Sequence, residues 1–407
     1  MKLVTFFAGA GGLSEGFIRS GYKPIAHVEM DRDACLTLKT RLAYHYLKQN
    51  DQFDVYISYL KKEISREELY AMIPEELLNS VLNETISPKT LLSLFAAIDS
   101  LRGTQSIDVI IGGPPCQAYS TIGRSRLDTS IRWDSRKFLY KHYARFLARY
   151  NPKIFVFENV PGLLSSSGGK YLRDMIKAFS ALGYQVEYQE QNASNFGVVQ
   201  NRRRIIIIGW KKEFNLSYPM FEKNTIDKRV QFVLEDLPHL HAGEALDNAY
   251  YTTEQSNEYL KFAGIRNGLA FTTQHIARPH NEQDKNIYLR AIELWNTEQH
   301  RLKYTDLPVL LQSHENKEAF LDRFKVVASD LETSHTLVAH IAKDGHYYIH
   351  PDKEQLRSLT VREAARIQSF PDDYYFEGTR TTAFKQIGNA VPPLMAEMIA
   401  DKINSLL

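Results

Sequence analysis

Short apolar runs alternate with amphipathic stretches through the first half of the chain, and that alternation leaves few folds open. Leu3 to Phe7, Ile25 to Glu29, Ile107 to Ile111, Ile154 to Phe157 and Ile205 to Gly209 read as buried strands. Between them, Ser14 to Ser20, Arg32 to Leu47, Lys137 to Tyr150 and Tyr171 to Leu182 read as helices. This order predicts an α/β fold with a doubly wound, mostly parallel sheet. Ligands of such sheets bind at the carboxyl ends of the strands, and the unusual loops of this chain fall there.

The 407 residues suffice for one large domain and a smaller one. Residues 50–106 are charged and helix-prone and interrupt the alternation, which reads as a helical insertion in a first domain spanning 1–215. Residues 216–335 are rich in Asn, His, Gln and Tyr with weak periodicity, the texture of a second, smaller and irregular domain. Regular patterning returns over 336–407, with helices expected at Val361 to Ser369 and Leu394 to Leu407. No apolar run reaches about eighteen residues, so no membrane span is expected. Glycines and Glu15 break the N-terminal apolar stretch too early for a signal peptide. The two cysteines, Cys35 and Cys116, exclude a disulfide framework and a cysteine-built zinc site, and they fit a reducing, cytoplasmic setting. A net charge of +2 neither requires nor excludes nucleic acid, because a basic groove can sit on a near-neutral protein.

Four segments carry chemistry. PheAlaGlyAlaGlyGly (7–12) leaves the first strand and opens a helix. Its glycines allow a sharp turn and close backbone approach, and the helix start offers free N–H groups. Glu29 ends the next strand, where an acidic side chain accepts hydrogen bonds from a ribose. That pair alone serves NAD, FAD or S-adenosylmethionine equally, or is a packing turn. GlyGlyProProCysGlnAlaTyrSer (112–120) leaves another strand, and its prolines hold Cys116 in a loop at the sheet edge, which suits a nucleophile. Cys35, inside an amphipathic helix, reads as core. PheGluAsnVal (157–160) sets a carboxylate at the same edge, for a protonated ring nitrogen or for a cap. GlnAsnArgArgArg (200–204) enters the last strand, either as basic surface or to hold phosphates or a carboxylate.

Together these segments resemble the DNA cytosine-5 methyltransferase family, whose motifs occur in this chain order. ArgSerLeuThrValArgGluAlaAlaArgIleGlnSerPhePro (357–371) and GlyAsnAlaValProPro (388–393) complete the set, which brackets nearly the whole chain. The resemblance implies a Rossmann-like methyltransferase sheet, S-adenosylmethionine as methyl donor and double-stranded DNA as substrate. Position by position, it implies that Cys116 adds to C6 of cytosine and that Glu158 bonds the N3 and N4 edge. Arg204 is implied to hold the O2 side, with Arg202 the neighbouring candidate. Phe7, Gly9, Gly11, Gly12 and Leu13 are implied to surround the amino-acid end of the cofactor. Glu29 takes the ribose, Met30 meets the adenine, Pro115 backs the pocket, and Asn389 and Val391 reach back to the methionine end. The C-terminal helix is then expected to pack against the N-terminal one. The family also has an acidic residue after its third strand for the adenine amine. The 50–106 segment hides that position, and Asp54 falls within it.

The target base is out of reach inside a duplex, so the resemblance implies that it is swung out. Gln117 and Ser120 lie beside the nucleophile in a loop expected to close over DNA, and Arg124 and Arg126 are its phosphate contacts or a solvated surface. Arg362, Glu363 and Arg366 are expected to be an ion-paired helix joining the domains, with some of the 357–371 arginines touching DNA. Residues 220–335 are the implied reader of DNA sequence, with 275–280 and the 340–350 loop as candidates. The spacing of His275, His280, His346 and His350 matches no common metal site, and no metal is expected. A tRNA cytosine-5 methyltransferase shares these motifs but usually carries CysPheThr, and no CysPhe occurs here. A dinucleotide-dependent oxidoreductase leaves ProProCysGln, GluAsnVal and the C-terminal motif unexplained. The presence of Cys116 and Glu158 argues against an idle relative. The absence of further domains resembles a monomeric prokaryotic modification enzyme, with a cognate restriction endonuclease as a partner.

Overall fold

In the computed structural model, residues 1–114 and 138–407 are described, and seven strands among them form one sheet of order β3-β2-β1-β4-β5-β7-β6. β1 (Lys2–Phe6), β2 (Lys23–Glu29), β3 (Val81–Asn83), β4 (Val109–Gly112) and β5 (Ile154–Asn159) run parallel. β7 (Arg203–Lys211) pairs antiparallel with β5, and β6 (Tyr184–Asn192) pairs antiparallel with β7 at the edge. The chain winds outward from β1 to β3, then crosses back to β4 on the other side of β1. The order therefore reverses between β1 and β4, and a ligand crevice in such a sheet opens at that switch.

The central strands alternate between two buried faces. Leu3, Val109, Ile111, Val156, Ile206 and Ile208 pack on the side that carries α1 (Gly12–Arg19). Val4, Phe6, Ile110, Phe155, Phe157, Ile205 and Ile207 pack on the opposite side. Strands buried on both faces lose polar alternation and become apolar runs, which is why they stand out in the sequence.

Residues 50–106 are not simply an insertion. α2 (Arg32–Gln49) leads into α3 (Phe53–Leu60), α4 (Arg66–Ala71) and α5 (Glu75–Asn79), and then into β3, which joins the sheet beside β2. α6 (Leu91–Arg102) returns the chain to β4 and packs Leu91, Leu94 and Ile98 on the second face. α7 (Leu139–Tyr150) and α8 (Lys170–Ser180) cover that face as the connections before and after β5.

The 216–335 stretch is mostly irregular, as the composition indicates. Tyr218, Val230, Val233, Tyr259, Leu260 and Ile265 join the main core, whereas Ile287, Tyr288, Ile292, Tyr304 and Phe324 form a cluster of their own with Ile349. That second cluster is built on α9 (Glu282–Glu298). The C-terminal part supplies α10 (Val361–Ile367), α11 (Arg380–Asn389) and α12 (Pro393–Asn404). α12 lies against α1 with little space between: a Cβ on Gly16 would stand 2.3 Å from the Glu397 backbone nitrogen. Among the described residues no helix is long and apolar enough to cross a membrane.

Candidate functional site

The carboxyl end of β1 turns through left-handed backbone, with φ of +53° at Phe7, +54° at Gly9 and +87° at Gly11. Phe7 holds this conformation without being a glycine, which costs on the order of 1–3 kcal/mol and is typical of ligand-binding turns. A Cβ on Gly9 would meet only open space, whereas one on Gly12 would stand 2.3 Å from the Val391 carbonyl oxygen. The loop is thus open on one side and closed against the C-terminal motif on the other. Among the described residues no side chain caps α1, so the N–H groups of its first turn remain available for an anionic group. Leu13 turns its side chain into the core.

Glu29 stands across this turn. Its Oε2 accepts from Gly9 N at 2.8 Å, and its Oε1 accepts from Met30 N at 2.8 Å and Asp31 N at 2.9 Å. Burial raises its pKa above the ordinary carboxylate value, with the three N–H groups pulling the other way. A carboxylate has about four lone-pair positions, so acceptor capacity remains for a ribose hydroxyl. Met30 is 63% exposed, an apolar surface for a flat ring. Beneath the loop, Glu15 on α1 is gripped by Arg41 at 2.6 and 2.9 Å and by His45 at 3.0 Å. Arg41 also bonds Asp373 at 2.8 Å, and Tyr374 donates its hydroxyl to the Ala10 carbonyl. Burial opposes the Glu15 charge, but Arg41 and His45 together outweigh it and hold the pKa well below normal. In the sequence Glu15 is only a charge in an amphipathic helix. Arg19, one turn on, reaches it at 3.4 Å, but Arg41 and His45 lie 26 and 30 positions away, beyond any local signal.

β3 ends at Asn83, which donates to the carbonyls of Glu29 and Met30 at 3.2 and 3.0 Å. Glu84 follows it and donates its backbone N–H to the Glu29 carbonyl at 3.0 Å. This is the acidic residue after the third strand. Asp54 lies instead on α3, exposed.

The second half of the site joins β4, β5 and β7. Glu158 Oε1 meets Arg204 Nε at 2.7 Å, with side chains only 14% and 11% exposed. The two sit on neighbouring antiparallel strands, with Glu158 opposite Ile206, so that the motif entering β7 comes alongside the one leaving β5. Gly113 closes on the same carboxylate: a Cβ there would stand 2.6 Å from Glu158 Oε2. Any side chain at 113 would displace Glu158, which accounts for the glycine before the two prolines. Asn159 Nδ2 reaches the Pro114 carbonyl at 3.5 Å. Pro115, Cys116, Gln117, Ser120, Arg124 and Arg126 lie outside the described residues.

Several expected roles change. Arg202 does not join Arg204. It is fully buried and donates to the Leu337 carbonyl at 2.7 Å and the Gly388 carbonyl at 3.1 Å, so it fastens the strand entry to the C-terminal motif. Gln200 is buried beside it and bonds Gln368, whose amide reaches the Ala390 carbonyl at 2.7 Å. Val391 is buried and Asn389 exposed at this junction. Arg357, Arg362 and Arg366 are each at most 1% exposed, so none of them is a DNA contact. Arg357 pairs with Glu363, Arg366 with Asp372 and Asp236, and Arg362 donates to the Thr273, Pro371 and Tyr374 carbonyls. These bonds tie the helix to Val233, Asp236 and Thr273.

The histidine candidates for reading DNA are also internal. His275 is fully buried between Thr360 and the Pro238 carbonyl, and Arg278 donates to carbonyls of the 341–343 turn. His350 is buried, and burial lowers its pKa to about 3. His280 and His346 share the Tyr288 hydroxyl. Among the described residues no three His, Cys, Asp or Glu side chains are grouped to hold a metal ion. A cavity of about 300 Å³ lined by Leu237, His350, Asp352 and Glu363 shares no residue with the carboxyl edge of the sheet.

The chain matches the family model of the C-5 cytosine-specific DNA methylase over residues 95–405. It is 42% identical to the type II methyltransferase M.Bpa9945I of Bacillus paralicheniformis, over all of this chain and 99% of that one. It is 28% identical to the type II methyltransferase M.AgeI of Thalassovita gelatinovora, over 99% of both. Among solved structures, a prophage-encoded protein of E. coli assigned as a DNA modification methyltransferase superposes with a TM-score of 0.66 at 22% identity, covering 100% of this chain and 99% of that one.

Proposed function

Because the chain belongs to the C-5 cytosine-specific DNA methylase family, we propose that it methylates C5 of a cytosine in double-stranded DNA, with Cys116 as nucleophile and S-adenosylmethionine as donor. The observation that carries this reading is the Glu158–Arg204 pair closed against Gly113, three residues before Cys116.

C5 of cytosine is a weak nucleophile until the ring's conjugation is broken. In this reading the Cys116 thiolate adds to C6 while Glu158 bonds the N3 and N4 edge and stabilises the protonated ring. Arg204 orients the Glu158 carboxylate and faces the O2 side. A thiolate at neutral pH needs an electropositive setting, and Arg204 contributes to one. When bound, S-adenosylmethionine supplies the electrophilic methyl group that C5 takes. A base then removes the C5 proton and the Cys116 sulfur departs, restoring the aromatic ring.

The open, left-handed turn at Phe7, Gly9, Gly11 and Gly12 fits the amino-acid end of that donor, with Leu13 contributing backbone only. Pro115, Asn389 and Val391 complete this end of the pocket in the reading. Glu29 fits the ribose, Met30 the face of the adenine, and Glu84 its amine. Gln117, Ser120, Arg124 and Arg126 are assigned to DNA, the target base being swung out of the helix. Residues 216–335 are assigned to target recognition, between catalytic segments 1–215 and 336–407. The type II methyltransferase relatives support a restriction-modification role; a cognate endonuclease, a monomeric state and a cytoplasmic location complete the proposed reading.

Bisulfite sequencing of DNA from cells expressing the protein tests the reaction and finds its target together. Cytosines in one short sequence context should resist conversion. Complete conversion at every cytosine would contradict the reading.

A further inference from the structure

α7 and α8 begin at the same edge of the sheet as Glu158. Both follow parallel strands, and both run back towards the amino edge, where β5 and β6 start. Their first turns are held together by Phe138 and Tyr171, whose rings lie 6.5 Å apart edge to face.

The outward face of this pair is basic. Lys141 and Arg145 are one turn apart on α7, and Lys170, Arg173 and Lys177 follow helical spacing on α8; all five are exposed. Among the described residues none of the five has a salt bridge, and the acidic side chain nearest in sequence is the half-buried Asp174. Arg149, further along α7, is neutralised by Asp99. Arg173 spends one nitrogen on the Gly168 carbonyl at 2.8 Å, which fixes its stem beside the start of α8. Five cations on two packed helices, none salt-bridged among the described residues, repel one another, and a polyanion across them relieves that repulsion.

We propose that Lys141, Lys170 and Arg173 grip the phosphate backbone of duplex DNA flanking the target cytosine, with Arg145 and Lys177 extending the track. The proposal rests on the DNA-methylation reading. A base delivered to Glu158 must enter at the carboxyl edge, and the duplex on that side then passes the first turns of α7 and α8. An acidic protein would also meet the charge, but it would have no reason to sit at the edge where the base enters.

The test compares the full chain with its K141E/K170E/R173E variant, using random-sequence duplexes titrated by fluorescence anisotropy at several salt concentrations. Three phosphate contacts are worth about 2.7 in the slope of log affinity against log salt. Between about 50 and about 200 mM salt the parent should therefore lose about 40-fold more affinity than the variant on a duplex of about 30 base pairs. On a duplex of about 12 base pairs the difference should shrink, because the flanks are gone. S-adenosylmethionine binding reports that the variant is folded, and K141Q/K170Q/R173Q should reproduce the change in slope with less loss of affinity.

The control is K23E/K212E/K402E, the same change of charge on exposed residues towards the amino edge. It should match the parent in slope. Equal slopes for parent and K141E/K170E/R173E, or an equal change in the control, overturn the proposal. A parent that binds duplex yet methylates no cytosine overturns the reading of the reaction instead, and the slopes still decide the surface.

Discussion

Glu158→Gln should lower single-turnover methyl transfer by about 100- to 10,000-fold, equivalent to about 3–5 kcal/mol in the barrier. The replacement keeps the shape of the side chain and removes its charge. Glu158 Oε1 is held by Arg204 at 2.7 Å, and Oε2 lies on the Gly113 side. Glutamine would have to offer its oxygen to Arg204, which turns its NH2 group towards the incoming base. A donor there opposes the N4 amino group and a protonated N3, the two positions that the carboxylate accepts from. Removing a preorganised group matters most where charge develops in the transition state. S-adenosylmethionine binding should change little, since the polar partner of the 7–12 turn is Glu29 and that of Glu158 is Arg204. A rate within about threefold of the parent would show that this carboxylate is not the group that stabilises the ring.

Arg366→Met should destabilise the fold by about 3–5 kcal/mol, enough to leave much of the protein unfolded under ordinary conditions. Arg366 is fully buried and donates to both oxygens of Asp372, at 2.8 and 2.6 Å. It also bonds Asp236 and the Val233 carbonyl, so α10 is tied to the 233–236 segment. Burial works against the Arg366 charge, yet Asp372 and Asp236 together outweigh it and hold its pKa well above normal. Methionine would fill most of the volume and leave two buried carboxylates short of a partner. Tyr251 and Arg266 would still reach Asp372 and Asp236, at 2.7 and 3.2 Å, which softens the loss without removing it. Urea denaturation of parent and variant measures the difference, and a loss below about 1 kcal/mol would contradict this account of the helix.

The sheet was legible where burial on both faces erased polar alternation. β1, β2, β4, β5 and β7 each show an apolar run, and each leads to or from a motif. β3 was not legible, because three residues inside a charged stretch carry no pattern of their own. With it went Glu84, which the third strand sets beside Glu29. β6 is long but is an edge strand with several exposed side chains, and its Gln- and Glu-rich sequence resembles a surface loop. α11 hides for a similar reason, since its buried residues are mixed with Thr, Lys and Gln.

In the site, the motif residues were legible by type and by order, but burial was not. Three consecutive arginines suggest solvent. The structure divides them: Arg202 is inside against two carbonyls, Arg203 is outside against Glu190, and Arg204 lies on the carboxylate of β5. The histidines of 275–280 and 350 likewise look like readers of DNA until their partners are seen. Polar residues in the core are recognised by what satisfies them, and those partners are often a hundred residues away.

The central claim is that Cys116 forms a bond to C6 of the target base. A duplex carrying 5-fluorocytosine in place of the target cytosine tests it most directly, because fluorine cannot leave as the C5 proton does. With S-adenosylmethionine present, the protein should form a covalent complex that survives denaturing electrophoresis, and Cys116→Ser should bind the same duplex without forming it. No adduct with the parent on a duplex that it methylates when unmodified, or an equal adduct with Cys116→Ser, would contradict the account.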